Sequence, residues 1–280
     1  AGVHLITEAE RLAYADRDRY VADTDFVPLP GDGPRTLLDP GYLAARAAMI
    51  SADHTMGTAP PGEFDAPAGA PVPVPEHGTS HISIVDAHGN AAALTTSIES
   101  SFGSFRMVDG LMLNNQLTDF AAEPVDEDGT PVANRVQPGK RPRSTMAPTM
   151  VFDPAPAGPP GARGQLFAVL GSPGGAAIIQ FVVRTLVGVL DWGLDPQQAV
   201  SLVAFGAENS PTTRIGGEHP DIDTADDGAH DPLVQGLRAL GHHVDLADQS
   251  SGLAVLVRDR DGWAGGADPR REGLVAGDTR

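Results

Sequence analysis

Gly78-Thr79-Ser80-His81-Ile82-Ser83-Ile84-Val85-Asp86 leads into the turn Ala87-His88-Gly89-Asn90 and then into Ala91-Ala92-Ala93-Leu94-Thr95-Thr96-Ser97-Ile98. Both runs alternate with period two, as strands with one covered face do. Turn residues separate them, so the stretch reads as a β-hairpin that opens at Thr79. Working outward, further strands are predicted at 147–152, 165–170, 243–247 and 252–258, and helices at 174–190, 195–203 and 230–240. Upstream, a helix is expected over 4–20, with Leu5, Ala9, Leu12 and Ala13 at helical spacing. A second is expected over 38–53, opened by Asp39-Pro40 and lined by Tyr42, Leu43, Ala45, Met49 and Ile50. Strands and helices come in mixed order, not as strict βαβ units, which predicts an α+β layered fold.

Residues 57–77, GTAPPGEFDAPAGAPVPVPEH, are a different material, too rich in Pro, Gly and Ala for regular structure. They read as a linker between elements, or as an exposed segment leading to a processing site. The chain has 280 residues, of which 41% are hydrophobic, enough for one large domain or two small ones. No apolar run reaches the roughly 18 residues of a membrane span. The longest candidate, Ala176 to Leu190, is interrupted by Gln180 and Arg184 and reads as a buried helix. The first twenty residues lack the basic start and apolar stretch of a signal peptide and read as a helix already under way. The formal charge of -18 disfavours nucleic acid and anionic lipid as partners. With no cysteine there are no disulfides, thiolate metal sites or cysteine nucleophile, and the compartment stays open.

Four segments could carry chemistry. In the first, Gly78-Thr79-Ser80-His81, a threonine opens a strand. Its hydroxyl needs a base, and one solution is a threonine at a chain terminus, whose own α-amine lies nearby. The preceding Gly78 leaves room for the hydroxyl to attack the carbonyl before it. The same triplet also suits a threonine that merely caps a strand. The second segment, Leu113 to Phe120, sets adjacent amides before Asp119, a pattern that can bind a zwitterion or simply make an Asx-rich turn. The third, Lys140 to Pro148, places Ser144 and Thr145 between two stiffening prolines, suited to a carboxylate or to an ordinary loop. The fourth, Gly171-Ser172-Pro173-Gly174-Gly175, lies between an apolar strand and an apolar helix. There, backbone N–H groups can face an anion at a helix N-terminus. It is neither a Walker motif nor a dinucleotide fingerprint. The acidic stretch from Glu218 to Asp231, with two histidines, reads as a solvated loop, with a calcium or zinc site as the alternative.

Taken in order, these segments resemble the γ-glutamyltransferase family. Thr79 to Asp86 stands where that family has T-x-H-x-S-x-V-D. Leu113 to Phe120 matches L-N-N-[QE]-x-x-D-F, and Lys140 to Thr149 matches K-R-P-x-S-S-M-x-P-T with Thr145 for the second Ser. Gly171 to Gly175 matches G-S-P-G-G, and Gly265 to Arg270 matches G-x-x-D-P-R. The resemblance implies an N-terminal-nucleophile hydrolase fold, an αββα four-layer sandwich. It implies self-cleavage between Gly78 and Thr79, with 1–78 the tail of a large subunit and 79–280 a complete small catalytic subunit. By position, Thr79 would be the nucleophile and Ser97 would orient it. Gly174 and Gly175 would form the oxyanion hole. Gln116 and Asp119 would contact the α-amino group of a γ-glutamyl amide, and Ser144 and Thr145 its α-carboxylate. Neither a cofactor nor a metal is implied.

Two departures qualify this. Glu99 stands where well-known members have Asn beside the α-carboxylate, and a carboxylate there would repel that of the substrate. Glutaryl amides, including cephalosporin side chains, are therefore the alternative substrate class, although Asp119 argues for an ammonium. The family's large subunit is also much longer than 78 residues and supplies an Arg to the substrate. The remainder of that subunit is therefore an expected partner, the sandwich is expected to be incomplete without it, and the 280 residues alone are expected to turn over little. A non-catalytic relative that keeps the fold is the third reading. The segment from Ala121 to Gly139 lacks the aromatic lid of some members, which implies a more open site.

Overall fold

The structure, a computed structural model, describes residues 1–64, 78–155 and 161–278. Most of the Pro/Gly/Ala-rich stretch, residues 65–77, lies outside the described residues. Along the chain come α1 (Gly2–Tyr20), the single turn α2 (Pro34–Leu37) and α3 (Pro40–Ala47). The hairpin strands β1 (Thr79–Val85) and β2 (Ala91–Ser97) follow, then the short pair β3 (Met107–Val108) and β4 (Leu111–Met112), β5 (Thr149–Pro154) and β6 (Arg163–Gly171). Next are α4 (Ile178–Leu190), α5 (Pro196–Ser201), β7 (Phe205–Gly206), β8 (Thr212–Gly216) and α6 (Pro232–Ala239). The chain closes with β9 (His243–Ala247), β10 (Ala254–Arg258) and β11 (Trp263–Ala267). These elements form two compact units. The first comprises Ala1–Val74, Asn115–Ser144 and Phe205–Asp248; the second comprises Pro75–Asn114, Thr145–Ala204 and Gln249–Arg280.

The second unit is layered. Its main sheet runs β11-β10-β6-β5, antiparallel throughout. The β1–β2 hairpin packs on one face, against β6 and β10, and α4 and α5 cover the other. Ala168, Leu170, Ile178, Phe181, Val182, Val200, Leu253 and Val255 fill the core beneath the helices. The order helix, sheet, sheet is three layers of the expected four-layer sandwich. The hairpin's remaining face carries Ile82 opposite Leu94, with Ile84 beside them; these three are 48%, 54% and 53% exposed. The terminal Asp-Pro-Arg segment ties the layers together. Buried Asp268 accepts from Ser251 Oγ at 2.6 Å and pairs with Arg270 at 3.1 Å, and Arg270 caps the end of α5 through the carbonyl of Leu202 at 2.8 Å.

In the first unit, β8 lies between antiparallel β7 and parallel β9, with α6 against β9 and α1 against β7. The first helix falls where its period places it, but its buried face differs from the expected one. Leu5, Ala9 and Ala13 are exposed, whereas His4, Glu8, Arg11, Leu12, Tyr14 and Ala15 are buried. The reason is a polar network that satisfies its own members. Arg11 pairs with Glu8 at 3.1 Å and donates to Thr213 Oγ1 at 2.9 Å and to the carbonyls of Gly57 and Ser210. Glu8 also accepts from Thr55 Oγ1 at 2.6 Å and from the Met56 N–H at 2.7 Å. The second helix is shorter than expected. It ends at Ala47, where i→i+3 bonds close the last turn and Ser51 Oγ accepts from the Asp53 N–H instead of letting the helix continue. Leu43 on it and Met49 beyond its end are exposed, and polar bonds anchor it, Tyr42 to Asp16 at 2.6 Å and Arg46 to the Leu12 carbonyl at 3.2 Å.

A chain of proton donors crosses this unit. His4 Nε2 lies 2.8 Å from the Ser51 carbonyl, which can only accept, so that nitrogen carries the proton. His4 Nδ1 therefore accepts from His242 Nε2 at 2.7 Å, and His242 Nδ1 accepts from Thr213 Oγ1 at 2.8 Å. In these tautomers every ring nitrogen is used. Burial lowers the His242 pKa to about 4 from 6.5; the Glu8 carboxylate opposes this, and His4 and Arg11 add to it. An unfolded chain protonates His242 near its ordinary value, before the folded chain can. The stabilisation is thus full above pH 6.5 and is lost as pH falls toward 4. The urea midpoint should fall between about pH 7.5 and about pH 4.5, and His242→Gln should flatten that slope.

Candidate active site

The candidate residues fall into two groups, one in each unit. In the second unit, the hairpin register places Thr79 opposite Ser97. Thr79 is buried, and its Oγ1 donates to Ser97 Oγ at 2.9 Å. Ser97 Oγ also accepts from the Glu99 N–H at 2.8 Å and donates to the Gly78 carbonyl at 3.4 Å. The same carbonyl accepts from the Ile98 N–H at 3.0 Å. The nucleophile candidate, its partner and the carbonyl of the preceding peptide thus share one hydrogen-bonded chain. Two donors polarise the Gly78 carbonyl.

The backbone around Gly78 explains why glycine is needed there. Its N–H donates to the Glu99 carbonyl at 2.6 Å, and a Cβ on Gly78 would collide with the carbonyls of Glu99 and Ser100. Glu99 closes this wrap in a left-handed conformation, φ 73°, and is buried. That conformation is uncommon for a residue with a side chain and is tolerated best by Asn and Asp. Arg271, which the sequence reading did not single out, donates to the Thr79 carbonyl at 3.3 Å.

His81, two residues along β1, bonds Thr95 Oγ1 at 2.8 Å and Ser83 Oγ at 3.0 Å. Its ring lies against Gly171, where a Cβ would overlap it. Burial lowers the His81 pKa to about 4, so it is a neutral structural imidazole that seats the hairpin on the sheet. The first glycine of the Gly171–Gly175 run thus serves packing, and the last two serve conformation. Gly174 has φ 137° and Gly175 φ 58°, and they lead into the 3-10 turn Gly175–Ala177 and α4. A Cβ on Gly174 would meet the Phe181 ring. Thr145 donates its hydroxyl proton to the Gly175 carbonyl at 2.6 Å, which straps the glycine loop to the hydroxyl segment. A hydroxyl has one proton, so in this arrangement Thr145 can offer a ligand only its lone pairs.

In the first unit, Gln116 and Asp119 sit in one 3-10 turn, with Gln116 Nε2 3.2 Å from Asp119 Oδ2. Ser144 is exposed at the rim of an open groove of about 270 Å³ formed by Val21–Thr24 and Arg141–Ser144. One wall is an ion pair. Arg141 grips Asp23 from Nε at 3.0 Å, Nη2 at 2.7 Å and its backbone N–H at 2.8 Å, which holds that carboxyl well below its usual range. Arg143, also part of the groove's lining, is tied to α1. It donates to the carbonyls of Arg17 and Asp18 at 3.1 and 3.0 Å, at the C-terminal end of α1, and pairs with the Asp18 carboxylate at 3.0 Å. Burial lowers its pKa to about 10, with nearby Arg17 acting in the same direction. Arg17 in turn donates to the Ser144 carbonyl at 3.1 Å.

Among the described residues the acidic stretch from Glu218 to Asp231 brings no three metal donors together, whereas His4, Glu8 and His242 do approach one another in the first unit. Asp231 instead caps α6 through the Leu233 and Val234 N–H groups at 2.8 and 2.9 Å. Among the described residues, no helix is long and apolar enough to cross a membrane.

The family model for Gamma-glutamyltranspeptidase matches residues 1–278. The glutathione hydrolase proenzyme of Escherichia coli (strain K12) is 32% identical over 98% of this chain, and that of Bacillus subtilis (strain 168) is 31% identical over 98%. The chain spans 44% of the length of each. The structure resembles the T380A mutant of Helicobacter pylori gamma-glutamyltranspeptidase, with a TM-score of 0.55 and 28% identity, covering 68% of this chain and 99% of that one. It also resembles the cephalosporin acylase of Bacillus halodurans, with a TM-score of 0.72 over 98% of this chain and 44% of that one. At 22% identity, that second likeness speaks to the fold alone. Both neighbours have the N-terminal-nucleophile hydrolase fold, the one the family resemblance implies.

Proposed function

The chain belongs to the gamma-glutamyltranspeptidase family, and from that premise we propose that Thr79 is a self-released nucleophile for γ-glutamyl amides such as glutathione. The observation that carries this reading is the chain from Thr79 Oγ1 through Ser97 Oγ to the Gly78 carbonyl, 2.9 and 3.4 Å long. In self-cleavage, Thr79 Oγ attacks the Gly78 carbonyl carbon. Its proton passes toward Ser97, and the Ile98 N–H and Ser97 hydroxyl steady the oxyanion. The C–N bond then breaks as that proton is passed on to the leaving nitrogen, so Thr79 gains an α-amine and Gly78 is left as an ester on Oγ. Water hydrolyses that ester to the Gly78 carboxylate and a free Thr79 hydroxyl. That the relatives from Escherichia coli and Bacillus subtilis are named proenzymes supports such a step.

In turnover, the new α-amine takes the Oγ proton as Oγ attacks the γ-carbonyl. The N–H groups of Gly174 and Gly175 receive the oxyanion, and the leaving amine departs with the proton. Water then releases glutamate, or an amino acid or peptide amine takes the acyl group. Asp119 with Gln116 reads the substrate ammonium, and Ser144 reads its carboxylate with Thr145 alongside. The remainder of a large subunit completes the site. Intact mass and N-terminal sequencing of the full-length gene product, with anilide assays, test this. A new N-terminus at Thr79 with γ-glutamyl turnover supports it, and an uncut chain that still hydrolyses amides sinks it.

Glu99 leaves room for a second reading, a glutaryl or cephalosporin acylase of the same fold, because its carboxylate would meet the substrate carboxylate of either class. Asn accepts the same left-handed turn, so Glu99→Asn removes the charge and keeps the backbone. Its KM should fall about tenfold for both γ-glutamyl and glutaryl anilides, as expected when a like charge within a few ångströms of the substrate carboxylate is removed. A KM that rises for the γ-glutamyl anilide alone would show instead that Glu99 reads the ammonium.

A further inference from the structure

Asn134 carries no motif signal, yet it is 1% exposed and reaches both segments assigned to the substrate's amino-acid end. Its Nδ2 donates to the Asp119 carbonyl at 2.8 Å, and its Oδ1 accepts from the Arg143 N–H, next to Ser144, at 2.9 Å. Its own carbonyl accepts from the Ala121 N–H at 3.0 Å. The surrounding loop is fixed: Val132 and Ala133 are buried, and buried Lys140 donates to the Ala133 carbonyl at 2.6 Å. Arg17 holds the other side of Ser144 through its carbonyl at 3.1 Å.

A carboxamide is planar and carries its donor and acceptor on one carbon. Bonding a different main chain with each, it fixes the separation of the two. We propose that Asn134 is a positioning residue that sets the spacing between Asp119 and Ser144, and so selects a substrate presenting an ammonium and a carboxylate on one carbon. The proposal rests on the γ-glutamyl reading above. It also explains the residue type. Asp would keep the acceptor for Arg143 but set a second oxygen against the Asp119 carbonyl, and Ala would offer neither bond. A glutaryl group has no ammonium for Asp119 to meet, so it should be nearly indifferent to that spacing.

The test uses Asn134→Asp and Asn134→Ala in the full-length gene product, with kcat and KM for γ-glutamyl and glutaryl anilides. The ratio of the two kcat/KM values is independent of how much of each preparation is folded. We expect KM for the γ-glutamyl anilide to rise about tenfold with kcat nearly unchanged, and the γ-glutamyl to glutaryl ratio to fall about tenfold. In an Asp119→Asn background, substituting Asn134 should leave that ratio unmoved, because both changes act through one contact. Equal losses on both substrates, or effects of the two substitutions that multiply, would overturn the proposal. A parent that hydrolyses neither anilide sinks the amidohydrolase reading, and the same comparison then runs on Kd for L-glutamate and glutarate by calorimetry. A parent that binds neither overturns the positioning role too.

Discussion

Thr79→Ala is expected to leave the full-length gene product as one uncut chain and to lower amide turnover by at least about 10⁴-fold, the scale on which removing a nucleophile acts. In the proposed function one hydroxyl does two jobs: it attacks the Gly78 carbonyl, and after release it attacks the substrate. Alanine keeps the strand, since Thr79 opens β1 and its backbone pairs with Ser97 regardless of side chain. What goes is the 2.9 Å bond to Ser97, which leaves a half-buried hydroxyl one donor short and costs about 1 kcal/mol of stability. Melting therefore shifts little while chemistry stops. Thr79→Ser, which keeps the oxygen, should be cut slowly and regain part of the turnover. Intact mass reads the cleavage and an anilide assay reads the turnover. Normal cleavage of the alanine variant would remove Thr79 from both roles.

The features the sequence made legible are those written locally. The hairpin could be read because polar and apolar residues alternate along β1 and the intervening turn is held by one residue. Asp86 accepts from the His88 and Asn90 N–H groups, both at 2.8 Å. Likewise β9 could be read from its own five residues. By contrast, β11 is Trp-Ala-Gly-Gly-Ala, poor in strand formers. It exists because β10 pairs with it and because Gly266 lets the α5 backbone approach, where a Cβ would strike Pro196. β8 is set by its parallel partner β9, far along the chain. In α1 the period was legible but the face was not, since scoring apolar residues cannot foresee that Glu8, Arg11 and His4 satisfy one another inside. The candidate site divides in the same way. Thr79, the amide turn and the glycine loop carry motif signals. The bond from Thr145 to Gly175, the Arg271 contact and the Asn134 bridge join positions that only folding brings together.

Gly174→Ala should cost about 10²–10³-fold in kcat, the effect of losing one oxyanion donor, with little change in KM. Two features of the backbone make this substitution harsher than its size suggests. Gly174 has φ 137° and ψ 24°, a conformation L-residues rarely adopt, and the new methyl would drive into the Phe181 ring. The loop must rotate to relieve either, and rotation swings its N–H groups away from the oxygen they are proposed to meet. Gly175 at φ 58° lies in the ordinary left-handed region, so Gly175→Ala should cost less, about 1–2 kcal/mol of strain. Steric and conformational causes separate in the double variant Gly174→Ala with Phe181→Ala. Making room should restore part of the melting temperature lost to the clash, though the Phe181 cavity carries its own penalty. It cannot restore φ, so kcat should stay low. If kcat recovers along with stability, the glycine is there for packing alone, and the oxyanion donors must be sought elsewhere. The self-cleavage step offers an independent reading. There the Gly78 carbonyl already has the Ile98 N–H at 3.0 Å, so Gly174→Ala should spare processing while it impairs turnover.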